Sequence, residues 1–135
     1  MTAFETFRYG YTKRLPGRSF ADAKTAVAEA LKKEGFGILT EIDVKETLKK
    51  KLNEDFREYA ILGACNPQLA HRALQQEIGI GLLLPCNVCV WEEDGGVTVG
   101  IARPDAMFEM VGNAALESVA RDADERLRRA LEALV

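Results

Sequence analysis

The stretch VCVWEEDGGVTVGIA, Val88 to Ala102, constrains the fold more than any other part of the chain. Two runs rich in β-branched and aromatic residues flank Asp94-Gly95-Gly96. An aspartate followed by glycine is the preferred chemistry of a tight hairpin, because its central residues need positive φ. The pattern predicts a strand over Leu82 to Glu92 that turns back into another over Val97 to Ala102. A layer to cover such strands stands near the C-terminus. There Asn113 caps a predicted helix of about 21 residues, roughly 32 Å long at 1.5 Å per residue, with Leu116, Val119, Ala120, Ala123, Leu127, Leu131 and Leu134 on one apolar stripe.

The rest of the chain alternates in the same manner. Phe4 to Lys13 has period two, with Phe7, Tyr9 and Tyr11 on one face, and reads as a strand. Ser19 with Asp22 three residues on opens a helix to about Lys33, which Gly35 stops. Phe36 to Val44 reads as a strand, Lys45 to Leu52 as a short helix and Tyr59 to Ala64 as a strand. Pro67 to Glu77 is helical, and a short helix runs from Pro104 to Gly112. The class is therefore α+β: a mostly antiparallel five-stranded sheet with helices on one face and a long C-terminal helix. At 135 residues the chain reads as one domain, 1–135, able to bury about two thirds of its unfolded surface. An uncovered sheet face offering Tyr9, Leu83, Cys89 and Trp91 needs a cover, and a second copy is the cheapest one, so a homodimer is expected.

Several functional classes are disfavoured. With 18 Lys and Arg against 21 Asp and Glu, the net charge of -3 does not suit a phosphate-backbone binder. The basic run Lys49-Lys50-Lys51 is flanked by Glu46, Glu54 and Asp55 and reads as a solvated helix face. The start of the chain has no signal-peptide pattern. The longest apolar stretch, Ile78 to Trp91, is broken by Pro85 and Asn87, whereas a membrane helix needs about 20 residues. Three cysteines suit a reducing cytosol better than a disulfide framework, so a cytoplasmic location is expected. Phosphate-loop, dinucleotide, zinc-protease and serine-hydrolase motifs are all missing from the sequence.

What chemistry there is centres on thiols. Cys86-Asn87-Val88-Cys89 has the spacing of a redox or zinc motif but strand-like flanks. Residues three apart on a strand point to opposite faces and lie roughly 10 Å apart, beyond the roughly 7 Å that a disulfide tolerates between Cα atoms. Cys89 therefore reads as packing. Cys65 differs: Pro67 suits the first helical position, which makes Asn66 the N-cap and places Cys65 just before it, where the helix dipole favours thiolate. His71 sits beside the apolar stripe of that helix, and one histidine cannot build a two-histidine metal site.

These residues also carry a resemblance. GFGILTEIDVKETLKKKL, DFREYAILGACNPQLAHRAL and IGIGLLLPCNVCVWEEDGG are similar to the family known as domain of unknown function 302, with Cys65-Asn66-Pro67 and Leu83-Leu84-Pro85-Cys86-Asn87-Val88 as the strongest marks. The resemblance implies a compact two-layer α+β fold like that of the TATA-binding protein, usually dimeric, and no established activity. Cys65 and Cys86 match its two cysteine positions. Cys89 stands where relatives tend to have an aliphatic residue, and His71 where histidine is frequent but not constant.

Two functional readings follow. The first is a dimeric small-ligand-binding or scaffold module, with Cys65, Asn66, His71, Cys86 and Asn87 as candidate ligand contacts. The alternative is a two-thiol site of Cys65 and Cys86 for soft-metal binding or thiol redox chemistry; two sulfurs suit Cu(I) better than zinc, which wants four ligands.

Overall fold

A computed structural model describes residues 5–135. Among these described residues, six strands form one sheet in the order β1-β2-β6-β5-β4-β3, with every neighbouring pair antiparallel. The strands are β1 (Glu5–Phe7), β2 (Gly10–Pro16), β3 (Gly37–Asp43), β4 (Tyr59–Cys65), β5 (Cys86–Glu93) and β6 (Gly96–Ala102). Between and after them come helices α1 (Phe20–Lys33), α2 (Val44–Leu52), α3 (Pro67–Gln76), α4 (Pro104–Glu109) and α5 (Glu117–Glu132).

The α+β class stands, with six strands rather than five. The expected first strand is two: its opening residue Phe4 lies outside the described residues, and Arg8-Tyr9 turns β1 back onto β2. Gly10 makes that reversal possible, since a Cβ there would lie 3.0 Å from the Ile101 carbonyl oxygen and 3.2 Å from the Phe7 ring. Tyr9, expected on a sheet face, is left exposed at the turn.

A second correction concerns Leu82 to Leu84, expected as strand. Ile78–Leu83 is a 3-10 helix, and β5 starts only at Cys86. Backbone bonds from Ile80 N to the Glu77 carbonyl and from Leu84 N to the Gly81 carbonyl wind this segment, and Pro85 has no N–H to give to a ladder. Leu83 consequently packs against the core rather than lying on the open face. The C-terminal helix is also shorter than expected. The Asn113 side chain accepts from Ala115 N in a 3-10 turn, Ala114–Leu116, and α5 follows.

Local chemistry explains the elements that match. Ser19 accepts from Asp22 N at 3.1 Å to start α1, and Gly35, at φ +84°, ends it. Asp43 caps α2 through Glu46 N at 2.9 Å. The hairpin is a two-residue loop with Asp94 at φ 39° and Gly95 at φ 79°, the conformation this dipeptide favours.

One face of the sheet carries the core. Ala60, Leu62 and Ala64 of β4, Val88 and Val90 of β5, and Val97, Val99 and Ile101 of β6 alternate inward. They meet Ala23, Val27 and Leu31 of α1, Leu69 and Ala73 of α3, and the apolar stripe of α5. The stripe from Leu116 to Leu134 is buried as the periodicity requires.

Polar groups also enter this layer, and no sequence pattern announces them. Lys13 is buried, and its Nζ donates to the Glu132 carbonyl at 3.0 Å and to that of Leu134, answering the partial negative charge at the end of α5. Tyr11 Oη donates to Asp124 Oδ1 at 2.7 Å. The Arg103 and Arg128 guanidinium groups each lie 5.4 Å from the centre of the Tyr11 ring. Burial, together with the neighbouring Asp105, pushes the Asp124 carboxyl above its ordinary range, while the Arg103 ion pair holds Asp105 below it.

These two shifts have opposite consequences. A raised carboxyl binds more protons in the folded than in the unfolded chain, so stability falls as pH climbs from about 4 through the raised value. The depressed Asp105 contributes stability that is lost only as pH falls below about 4 toward its own lowered value. Asp124→Asn keeps an acceptor for Tyr11 and is expected to flatten the fall above pH 4 while leaving the acid limb. Urea unfolding across pH 3 to 8 checks this; an unchanged slope above pH 4 counts against the assignment.

Candidate functional site

Cys65 ends β4, and Asn66 turns the chain into α3. Asn66 is buried, and its Oδ1 accepts from Leu69 N at 3.2 Å, with Pro67 at the first helical turn. Its amide reaches the other way, donating to the Glu34 carbonyl at 3.5 Å. A Cβ on Gly35 would lie 2.8 Å from this amide nitrogen, so only glycine permits that approach. Asn66 is thus a structural link between the end of α1 and the start of α3. Asn66→Ala is expected to cost about 1 kcal/mol for the lost cap, read as a lower denaturation midpoint with an unchanged m-value.

Cys86 opens β5, and its Cα partner across the strands is Ala64. Antiparallel pairing therefore makes Cys65 the diagonal neighbour of Cys86. Both thiols are free, half-buried, and line one cavity of about 350 Å³. Phe36, Leu69, Ala73 and Phe108 supply much of its wall, and Val119 and Ala123 of α5 close one side. The only side-chain heteroatoms on that wall are the two sulfurs and the engaged amide of Asn66. Burial first, and then the adjacent Cys65, pushes the Cys86 thiol up to about 11. Thiolate is the reactive form, so Cys86 stays a neutral thiol near pH 7.

A second hollow of about 320 Å³ adjoins the first across Leu84, Pro85, Cys86 and Phe108, and Asn87 lines it. Asn87 itself is exposed and, by strand alternation, lies on the opposite side of the sheet from Cys86. His71 is exposed on α3 and takes no part in either wall. Cys89 lies on the open face with Tyr59, Ile61 and Trp91; burial raises its pKa, and its hydrogen bond with Tyr59 opposes that. Tyr59 stacks on Trp91 with ring centres 5.4 Å apart. Together these features account for Cys89 as packing. A larger, charged hollow of about 580 Å³ lies between α4 and α5, where Asp105 and Asp124 are already tied to Arg103 and Tyr11.

Comparison with known proteins accords with this geometry. The family described as Domain of unknown function DUF302 matches residues 11–134. The chain belongs to the DUF302 family. Its fold is similar to the crystal structure of an uncharacterized conserved DUF302 protein from Bacillus stearothermophilus, with a TM-score of 0.84 and 34% identity over 91% of this chain and 95% of that one. No curated protein matches the chain. The DUF302 assignment covers both cysteines and the whole of the cleft, but it names no activity.

Sequence reasoning singled out Cys65, Asn66 and Cys86, and these do converge. It missed Phe36, Phe108, Val119 and Ala123, because each comes from a remote element and reads locally as ordinary core.

Proposed function

We propose that this DUF302 chain is a small-molecule-binding module whose ligand is uncharged and largely apolar, held between the ends of β4 and β5, α3 and α5. The observation that carries this reading is the wall of the 350 Å³ cleft, which is hydrocarbon apart from two cysteine sulfurs and one engaged amide. Its volume lies in the range of about 300–1,000 Å³ typical of ligand sites. No carboxylate or cation lines it, so a charged ligand would lose its hydration without compensation. Leu39, a lining residue that is 67% exposed, adds apolar surface to the cleft. Thiol redox chemistry is the weaker account, because a thiol held protonated by burial is a poor nucleophile.

Binding of an uncharged, environment-sensitive dye such as Nile red tests the reading. Ala70→Trp places an indole in the half-buried wall and is expected to weaken the dye at least tenfold with an unchanged far-ultraviolet spectrum. Undiminished affinity in a folded variant refutes the assignment.

The same reading includes a homodimer through the open sheet face, supported by the half-buried Tyr59, Ile61 and Trp91 at its centre. Sedimentation of the protein and of Ile61→Lys checks it: a dimer that the substitution splits is expected, and a monomeric parent protein removes the proposal.

A further inference from the structure

We propose that Cys65 and Cys86 form a two-coordinate thiolate site for one Cu(I) ion. The strand register supplies the geometry. Ala64 faces Cys86, so the next residue of β4 brings its Cα to roughly 6 Å from that of Cys86, from the strand rise and inter-strand spacing. By strict alternation the two side chains would leave the sheet on opposite faces. Cys65, however, is the last residue of its strand, and it lines the same cleft as Cys86. The charge of Cys65 is felt at Cys86, which makes the sulfurs electrostatic neighbours.

The donor set then selects the ion. Two thiols with no carboxylate or imidazole on the wall suit a soft cation content with two ligands. Zinc wants four ligands, and no group of three or more histidine, cysteine, aspartate or glutamate side chains able to hold a metal exists among the described residues. An apolar wall excludes the water that a hard cation would keep. The start of α3, two residues after Cys65, offsets the negative charge that a bis-thiolate ion carries.

Binding is a proton exchange without redox change. One Cu(I) forms two Cu–S bonds, two S–H bonds break, and two protons leave to solvent. The resulting bis-thiolate complex has a net charge of -1. Affinity must therefore rise with pH, because the metal displaces protons from sulfur.

This inference shares the cleft with the ligand-binding reading but does not rest on it. Anaerobic titration of the full chain with Cu(I), in competition with a chromophoric Cu(I) chelator, provides the test. One equivalent is expected to bind, with affinity falling at least 100-fold in Cys65→Ala and in Cys86→Ala, and unchanged in Cys89→Ala. Cys65→Ser and Cys86→Ser serve if either alanine variant does not fold. Nile red binding by the parent protein, measured in parallel, separates the two proposals, since dye uptake without copper uptake, or the reverse, removes one and leaves the other. Copper uptake that ignores both cysteines, or an affinity independent of pH, overturns the site even if the dye still binds.

Discussion

Leu127→Ala is expected to lower the free energy of unfolding by about 3 kcal/mol, within the usual span for a fully buried leucine that leaves a cavity. Leu127 is completely buried in the middle of α5, where that helix crosses the inner face of the sheet. The loss has two parts: transfer of the removed carbons from a close-packed interior, and the cavity that neighbouring groups cannot collapse to fill. Collapse is hindered here because Leu31, Val99 and Leu131 around the core are themselves in rigid elements with almost no exposed surface. Urea unfolding with an unchanged m-value is the measurement. A change below about 1 kcal/mol would mean that α5 is not seated on the sheet as described.

Gly63→Val is expected to be as disruptive by the opposite route, and to reach the cleft as well. Gly63 lies in β4 on the face away from the helices, two residues before Cys65. A Cβ there would overlap the Thr40 hydroxyl of β3 and stand 2.8 Å from Pro85 Cγ. Thr40 can rotate aside, but the proline ring is held in the turn that delivers Cys86 to β5. A branched side chain must push Pro85 outward, and overpacking of this kind costs about 1–3 kcal/mol. Because Pro85 and Cys86 both belong to the cleft wall, Nile red affinity is expected to fall with the melting temperature. Gly63→Ala should show the same pair of changes on a smaller scale. A destabilised variant with full dye affinity would separate the strand from the site.

The family assignment and the cleft bear on each other without either supplying a substrate. The DUF302 match extends over residues 11–134 and thus over every element that builds the wall. What the wall would recognise follows from its chemistry: carbon surface, two cysteine sulfurs and a satisfied amide.

Much of this was legible in the sequence where the cause is local. Ser19 and Asn66 cap helices with their own side chains, Gly35 takes the left-handed conformation that ends α1, and Asp94-Gly95 supplies two positive φ angles for the hairpin. The stripe on α5 is a matter of period, and period survives folding. The proposal that Cys65 sits at a helix start needed only Pro67 beside it.

Other features depended on contacts between distant parts of the chain. Nothing local marks Lys13 as buried, since its burial depends on the carbonyls of Glu132 and Leu134 more than a hundred residues away. Leu82 to Leu84 had strand composition, yet Ile78–Leu83 winds as a 3-10 helix and a proline without an N–H precedes the ladder. Strand register put Cys65 diagonally beside Cys86, and helix packing drew Phe36, Phe108 and Val119 around them. Backbone preference and side-chain period are written within a few residues. The wall of a cleft is set by which surfaces exclude water together, and only the folded chain decides that.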